Sequence, residues 1–189
     1  MANNGTSEFV DTGGILVKRV YDGFHKIDLI NEKVKGATVK REKLGLKSAV
    51  GALVIDSQNR MALVHQFRPA IKEMTYEIPA GLLDKHNLSP VQTILEELEE
   101  ECEIEQSDIL YFDSEPFITY YMVVGSSDSQ LSIYHMRVTE QVDKMVNDTD
   151  VESVQWKALR EVNEMVKKGI INDPKTFLAI HEFKHQITF

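Results

Sequence analysis

A helix start followed by a dense run of acid constrains this chain more than any other feature. Ser89 precedes Pro90, and Gln92 stands three residues after the serine. A serine that caps the third amide, a glutamine that reaches back to the cap amide and a proline at the first helical position predict a helix from Pro90 to about Cys102. At about 100° per residue, Val91, Leu95, Leu98 and Cys102 share an apolar stripe with Ile94 beside it, and Glu97, Glu100 and Glu101 fall on the opposite side. Glu96, Glu99, Glu103 and Glu105 add to the charge. Like-charged neighbours three or four residues apart cost an exposed helix about 0.2–0.5 kcal/mol per pair. The face is therefore either simply solvated or turned toward cations, and hard Mg²⁺ or Mn²⁺ ions favour oxygen ligands and would offset the repulsion.

A chain of 189 residues, 42% of them hydrophobic, is long enough to bury a core in one compact domain with a small appendage. Cys102 is the only cysteine, which excludes an internal disulfide and a cysteine-based metal cluster; its place on the apolar stripe makes it a small core residue. The net charge of −9 argues against non-specific nucleic-acid binding. No stretch approaches the roughly 20 apolar residues that cross a bilayer, and MANNGTSEF lacks the charged and apolar regions of a signal peptide, so a cytoplasmic protein is expected.

Strands are predicted at ILVKRVY, HKIDLIN and ATVKREKL, forming an antiparallel N-terminal sheet over residues 1–46 after a loose start. The remainder, residues 47–189, opens with AVGALVID and MALVHQF around a turn-rich SQNR, followed by YEIPAGLLD as one apolar strand ending at Pro79-Ala80-Gly81. Further strands are expected at ILYFD, QLSIYHMRV and VESVQW. Two helices follow, ALREVNEMVKKG closed by Gly169 and DPKTFLAIHEFKHQ opened by Asp173-Pro174. The order predicts a mixed α/β domain with helices packed on a curved sheet.

Chemistry-bearing residues outside the helix carry two readings each. The Arg68 guanidinium can bond a phosphate in two places, or make a surface ion pair. Tyr120 and Tyr121 can stack a nucleobase, or pack as core at a strand end.

The segment GLLDKHNLSPVQTILEELEEECEI resembles the Nudix box, in which a glycine and a glutamate precede Arg-Glu-apolar-any-Glu-Glu-any-Gly-apolar. Glu97, Leu98, Glu100, Glu101 and Ile104 take matching positions, after one extra residue in the loop from Gly81. HQFRPA, YEIPAG, TYYMVVGSSDSQLSIYHM and the closing VQWKALREVNEMVKKGIINDPKTFLAI resemble, in order, segments of ADP-ribose pyrophosphatases. The box departs from its pattern at Leu88, where a glutamate is usual, at Glu96, where arginine is usual, and at Glu103, where glycine is usual. Leu88 also resembles the box of UDP-sugar pyrophosphatases.

The resemblance implies a Nudix-type α/β/α sandwich with a mixed sheet, hydrolysing a nucleoside diphosphate sugar, ADP-ribose foremost, with Mg²⁺ or Mn²⁺. It implies a homodimer that exchanges N-terminal sheets. Glu97 and Glu101 would be metal ligands, Glu100 a further ligand or a base, and the Ala80 carbonyl a backbone ligand. Glu77 would hold a ribose hydroxyl or position a metal-bound water. A general base is expected from VNDTDVES, which offers Asp148, Asp150 and Glu152, with Asp150 the choice. Glu96, four residues before Glu100, is expected to repel it unless a cation such as a lysine or a second metal occupies that space. The alternatives are a Nudix-fold ligand-binding or regulatory protein and a UDP-sugar pyrophosphatase.

Overall fold

The computed structural model describes residues 9–11, 15–85, 87–146 and 150–186. They divide into two units, residues 1–48 with 120–130, and residues 49–119 with 131–189. The first unit carries an antiparallel sheet in the order β1 (Val10–Asp11), β2 (Ile15–Asp22), β3 (Lys26–Val34) and β4 (Ala37–Gly45). Positive φ at both Lys35 and Gly36 marks the two-residue turn joining β3 to β4, the backbone whose twist matches antiparallel strands. Residues 120–130 join this sheet through the Leu44 amide, which donates to the Ser126 carbonyl at 2.7 Å, and through an ion pair between Lys43 and Asp128.

The remaining elements are β5 (Ala49–Asp56), β6 (Arg60–Arg68), β7 (Glu73–Glu77), β8 (Ala80–Leu82), α1 (Pro90–Cys102), β9 (Ile109–Phe112), β10 (Ile118–Tyr121), β11 (Gln130–Val138), β12 (Lys144–Met145), β13 (Val151–Ala158), α2 (Leu159–Lys167) and α3 (Pro174–Gln186). The sheet runs β10-β11-β5-β6-β13-β12, with β7 on β6, β8 on β5 and β9 on β11. It is mixed: β5 and β11 are parallel, while β6 is antiparallel to β5, β7 and β13.

Every residue of β5 is buried, as expected of a strand covered on both faces. Its even positions Val50, Ala52 and Val54 pack in one cluster with Ile94, Leu98 and Cys102 of α1. Its odd positions Leu53 and Ile55 belong to the opposite face, the side on which α3 packs against β5. Each large side chain buried this way contributes about 1.5–3 kcal/mol. The α/β/α arrangement with a mixed sheet agrees with the expected fold class. Burial pushes the Cys102 thiol well up, as suits a core residue.

The structure departs from the single strand expected at YEIPAGLLD. The chain leaves β6 as β7, breaks at Ile78-Pro79 and resumes as β8 against β5. Proline brings no N–H to a ladder, and the Ile78 amide donates to the Thr176 hydroxyl at 3.0 Å instead. The Pro79 carbonyl accepts from the Ala52 amide at 3.0 Å, which steers the chain onto its new neighbour. Among the described residues, no helix is long and apolar enough to cross a membrane.

Candidate active site

Local sequence sets the start of α1 as its residues require. The Ser89 side chain accepts from the Gln92 amide at 3.2 Å, and the Gln92 side chain accepts from the Ser89 amide at 2.9 Å. Ile94, Leu98 and Cys102 then bury the core stripe, while Val91 and Leu95 are only half-buried at its margin. Buried Thr93 heads a second line at four-residue spacing that continues through half-buried Glu97 and Glu101.

That line faces the Ala80-Gly81 backbone of β8. A Cβ built on Gly81 would overlap the Glu97 carboxyl, so only glycine lets that carboxyl reach the main chain. Glu101 Oε2 accepts from the Ala80 amide at 3.3 Å. The α1 cap box, the break before β8 and the missing side chain at Gly81 thus converge on one cradle.

Glu100 stands apart from it. It is exposed and lines a surface hollow with Lys85, Glu96 and Glu99. The shared point expected for Glu97, Glu100 and Glu101 is not present: among the described residues, no three His, Cys, Asp or Glu side chains are gathered to hold an ion. The angular step between Glu100 and its neighbours, about 60° from Glu97 and 100° from Glu101, turns it away from the cradle. The donors placed there are the Glu97 and Glu101 carboxylates, beside the Ala80 main chain whose carbonyl would complete the set. This all-oxygen set fits a hard divalent cation.

The departures from the box have structural explanations. Glu96 is not left to repel Glu100: Lys85, from the loop before α1, donates to Glu96 Oε2 at 2.6 Å. The lysine therefore neutralises the carboxylate that stands at the arginine position. Glu103 ends α1 in the left-handed region at φ 51°, ψ 39°, the conformation that glycine adopts without strain. Leu88 is half-buried just before the cap, with its amide on the Lys85 carbonyl at 3.2 Å.

A second cluster lies where β6, β7 and α3 meet. Arg68 forks onto Glu77, Nε to Oε1 at 2.8 Å and Nη2 to Oε2 at 2.7 Å. The Thr75 hydroxyl adds a bond to Oε1 at 2.7 Å. Buried Lys175 donates to Oε2 and lies 3.1 Å from Asp173 Oδ2. Asp173 caps α3, accepting from the Thr176 amide at 3.0 Å and its hydroxyl at 2.6 Å. Burial alone would push the Glu77 carboxyl up, but the Arg68 hydrogen bonds, the Lys175 charge and the remaining donors outweigh it and bring it down to about 2. Glu77 is thus a fixed carboxylate whose two oxygens accept four hydrogen bonds, an environment that differs from an open ribose or water contact. Arg68 holds its proton more firmly than usual, chiefly through the Glu77 hydrogen bonds, with the fields of Glu101 and Asp173 adding.

Asp150 is exposed at the start of β13, where its carbonyl accepts from the Phe67 amide at 3.2 Å, next to Arg68 in β6. Glu152 pairs with His65 Nδ1 at 2.9 Å, and the His65 ring stacks on Tyr76 at 4.3 Å. Asp148 lies outside the described residues. Tyr120 is half-buried at the end of β10 and belongs to the unit of the N-terminal sheet. Sequence reasoning missed Lys175 and Thr75. The signal for Lys175 was a cation in the first turn of a helix, against the macrodipole, which calls for a partner from elsewhere in the fold.

A family model described as the NUDIX domain matches residues 45–179. The chain therefore belongs to the Nudix family, and it is a Nudix hydrolase similar to the ADP-ribose pyrophosphatase branch. A methanol dehydrogenase activator of Bacillus methanolicus is 30% identical over 162 residues, 82% of each chain. An ADP-ribose pyrophosphatase of Bacillus subtilis is 29% identical over 160 residues, 82% of this chain and 83% of that one. Another ADP-ribose pyrophosphatase, of Mycobacterium tuberculosis, is 26% identical over 155 residues, 77% of this chain and 70% of that one. Nudix hydrolases generally use divalent metal ions.

Proposed function

We propose that the protein hydrolyses the diphosphate bond of a nucleoside diphosphate sugar, with ADP-ribose giving AMP and ribose 5-phosphate. The observation that carries this reading is the cradle in which the Glu97 carboxyl takes the space a side chain at Gly81 would fill, beside Glu101 on the Ala80 amide. Two relatives named as ADP-ribose pyrophosphatases support the choice of substrate.

In this reading Glu97, Glu101 and the Ala80 carbonyl hold Mg²⁺ or Mn²⁺, and Glu100, exposed on α1 outside the cradle, serves as a base and not as a ligand. When bound, the cation neutralises diphosphate oxygens and acidifies water. Arg68, fixed in direction by Glu77, presents its outer edge to the diphosphate, where a rigid fork suits paired oxygens. Asp150 takes the proton from the attacking water; its exposure and its place beside the end of β6 support that role. The exposed apolar side chains Val20, Tyr21 and Val34 of the N-terminal sheet support a homodimer closed through that sheet.

The test is a panel of ADP-ribose, UDP-glucose and other nucleoside diphosphate compounds, each with Mg²⁺ or Mn²⁺, scored by released monophosphate. AMP release from ADP-ribose at the highest rate is expected; faster release from UDP-glucose would move the substrate to the UDP-sugars. The relative named as a dehydrogenase activator supports a second reading, a regulatory protein that binds nucleotide ligands. Ligand-induced stabilisation with no hydrolysis anywhere in the panel would favour it.

A further inference from the structure

We propose that Lys175 is a positioning residue that acts on the diphosphate through Glu77 and Arg68. The inference rests on the proposed reading only in taking Arg68 as a phosphate contact. Arg68 uses both Nε and Nη2 on the Glu77 carboxylate, so the direction of its guanidinium is set by where that carboxylate is held. Thr75 and Lys175 hold it from the other sides. Lys175 is the long-range element of the set: it stands 98 residues from Glu77 and brings the start of α3 onto the end of β7. A neighbouring bond from the Thr176 hydroxyl, which accepts from the Ile78 amide, makes the same junction independently, so losing the Lys175 ammonium leaves α3 seated.

The second cation also divides the charge of Glu77. With Lys175 on Oε2, the carboxylate does not spend its whole field on Arg68, and the guanidinium keeps positive potential for an anion. Without Lys175, Arg68 is the single cation bonded to a buried carboxylate and is drawn more tightly onto it. The substitution should therefore weaken anion binding without touching the anion.

The experiment is a double-mutant cycle of Arg68→Ala and Lys175→Met, read by calorimetric binding of inorganic pyrophosphate to the full chain, with Lys175→Gln as a second variant should the methionine not fold. Each single substitution is expected to weaken binding about tenfold, the size of a lost charge-assisted hydrogen bond, and the double variant to bind no more weakly than Arg68→Ala alone. Additive losses would show Lys175 acting on its own account, and an unchanged affinity in the lysine variants, or native affinity no tighter than that of Arg68→Ala, would overturn the proposal. In hydrolysis of ADP-ribose, Lys175→Met should raise KM about tenfold and leave kcat within about threefold. If the native protein hydrolyses nothing, the reading of its substrate falls, and the pyrophosphate cycle still decides the role of Lys175.

Discussion

The Lys85 ammonium sits 2.6 Å from the Glu96 carboxylate, eleven residues away in sequence, with Glu99 and Glu100 lining the same hollow. Glu96 alone reads as an uncompensated repulsion of Glu100, and the lysine removes that reading. Lys85→Glu leaves four carboxylates around one hollow, so it should lower the metal-free melting temperature at low salt by about 2–5 °C, an effect that shrinks as salt screens the charges. Glu96→Arg, which restores the family residue, should change the metal-free melting temperature little, because Lys85 already offsets the Glu96 charge. A clear rise in that variant would mean that the lysine does not offset the charge.

Glu103 pays a left-handed backbone penalty at the end of α1. Glu103→Gly should stabilise the protein by about 1 kcal/mol, because glycine meets no Cβ conflict at φ 51°. The loss of the exposed pair with Lys144, at 3.6 Å, subtracts little from that. Urea unfolding of the two proteins side by side measures the difference, and a destabilised variant would contradict the strain argument.

Gly81→Ala should separate fold from chemistry. The added Cβ meets Oε1, Cγ and Cδ of Glu97, a flexible side chain that can turn to another rotamer, so stability should fall less than activity. Turnover should fall about 100-fold or more, and with it the rise in melting temperature on adding Mg²⁺ or Mn²⁺, since the displaced carboxylate no longer helps hold the cation. Glu97→Gln and Glu101→Gln should show the same two losses. Native turnover in all three would remove the cradle from the reaction.

Glu77 makes stability depend on acid pH in a defined window. Its carboxyl lies at about 2 in the folded chain against 4.5 ordinarily. The unfolded chain therefore takes up the proton first as pH falls. The stabilisation is complete above 4.5 and is lost as pH falls from there through about 2, and it amounts to the order of 3 kcal/mol. Glu77→Gln should lower stability at neutral pH, leaving Arg68 and Lys175 crowded beside a neutral amide, and should flatten the pH dependence of urea unfolding across that window. An equally steep acid limb in the variant would assign the dependence to other groups.

What the sequence by itself determined were features written in neighbouring residues. The capping box of Ser89 and Gln92 states where α1 begins, a continuous apolar run states β5, and a pair such as Lys35-Gly36 states a turn, because each depends on atoms only a few residues apart. The spacing of the glutamates also placed Glu97 and Glu101 on one side of the helix. Whether Glu100 joined them was settled by tertiary structure, since α1 rotates to bury Ile94, Leu98 and Cys102 and that rotation sends Glu97 toward Gly81 and Glu100 to solvent. The break at Ile78-Pro79 likewise follows from a hydroxyl on Thr176 that takes the Ile78 amide. Lys175 and Glu77, 98 residues apart, share no local pattern that could announce their bond. Their pairing exists because the packing of α3 against the sheet brings its first turn to the end of β7, where Lys175 joins Arg68 and Thr75 in holding a buried carboxylate charged.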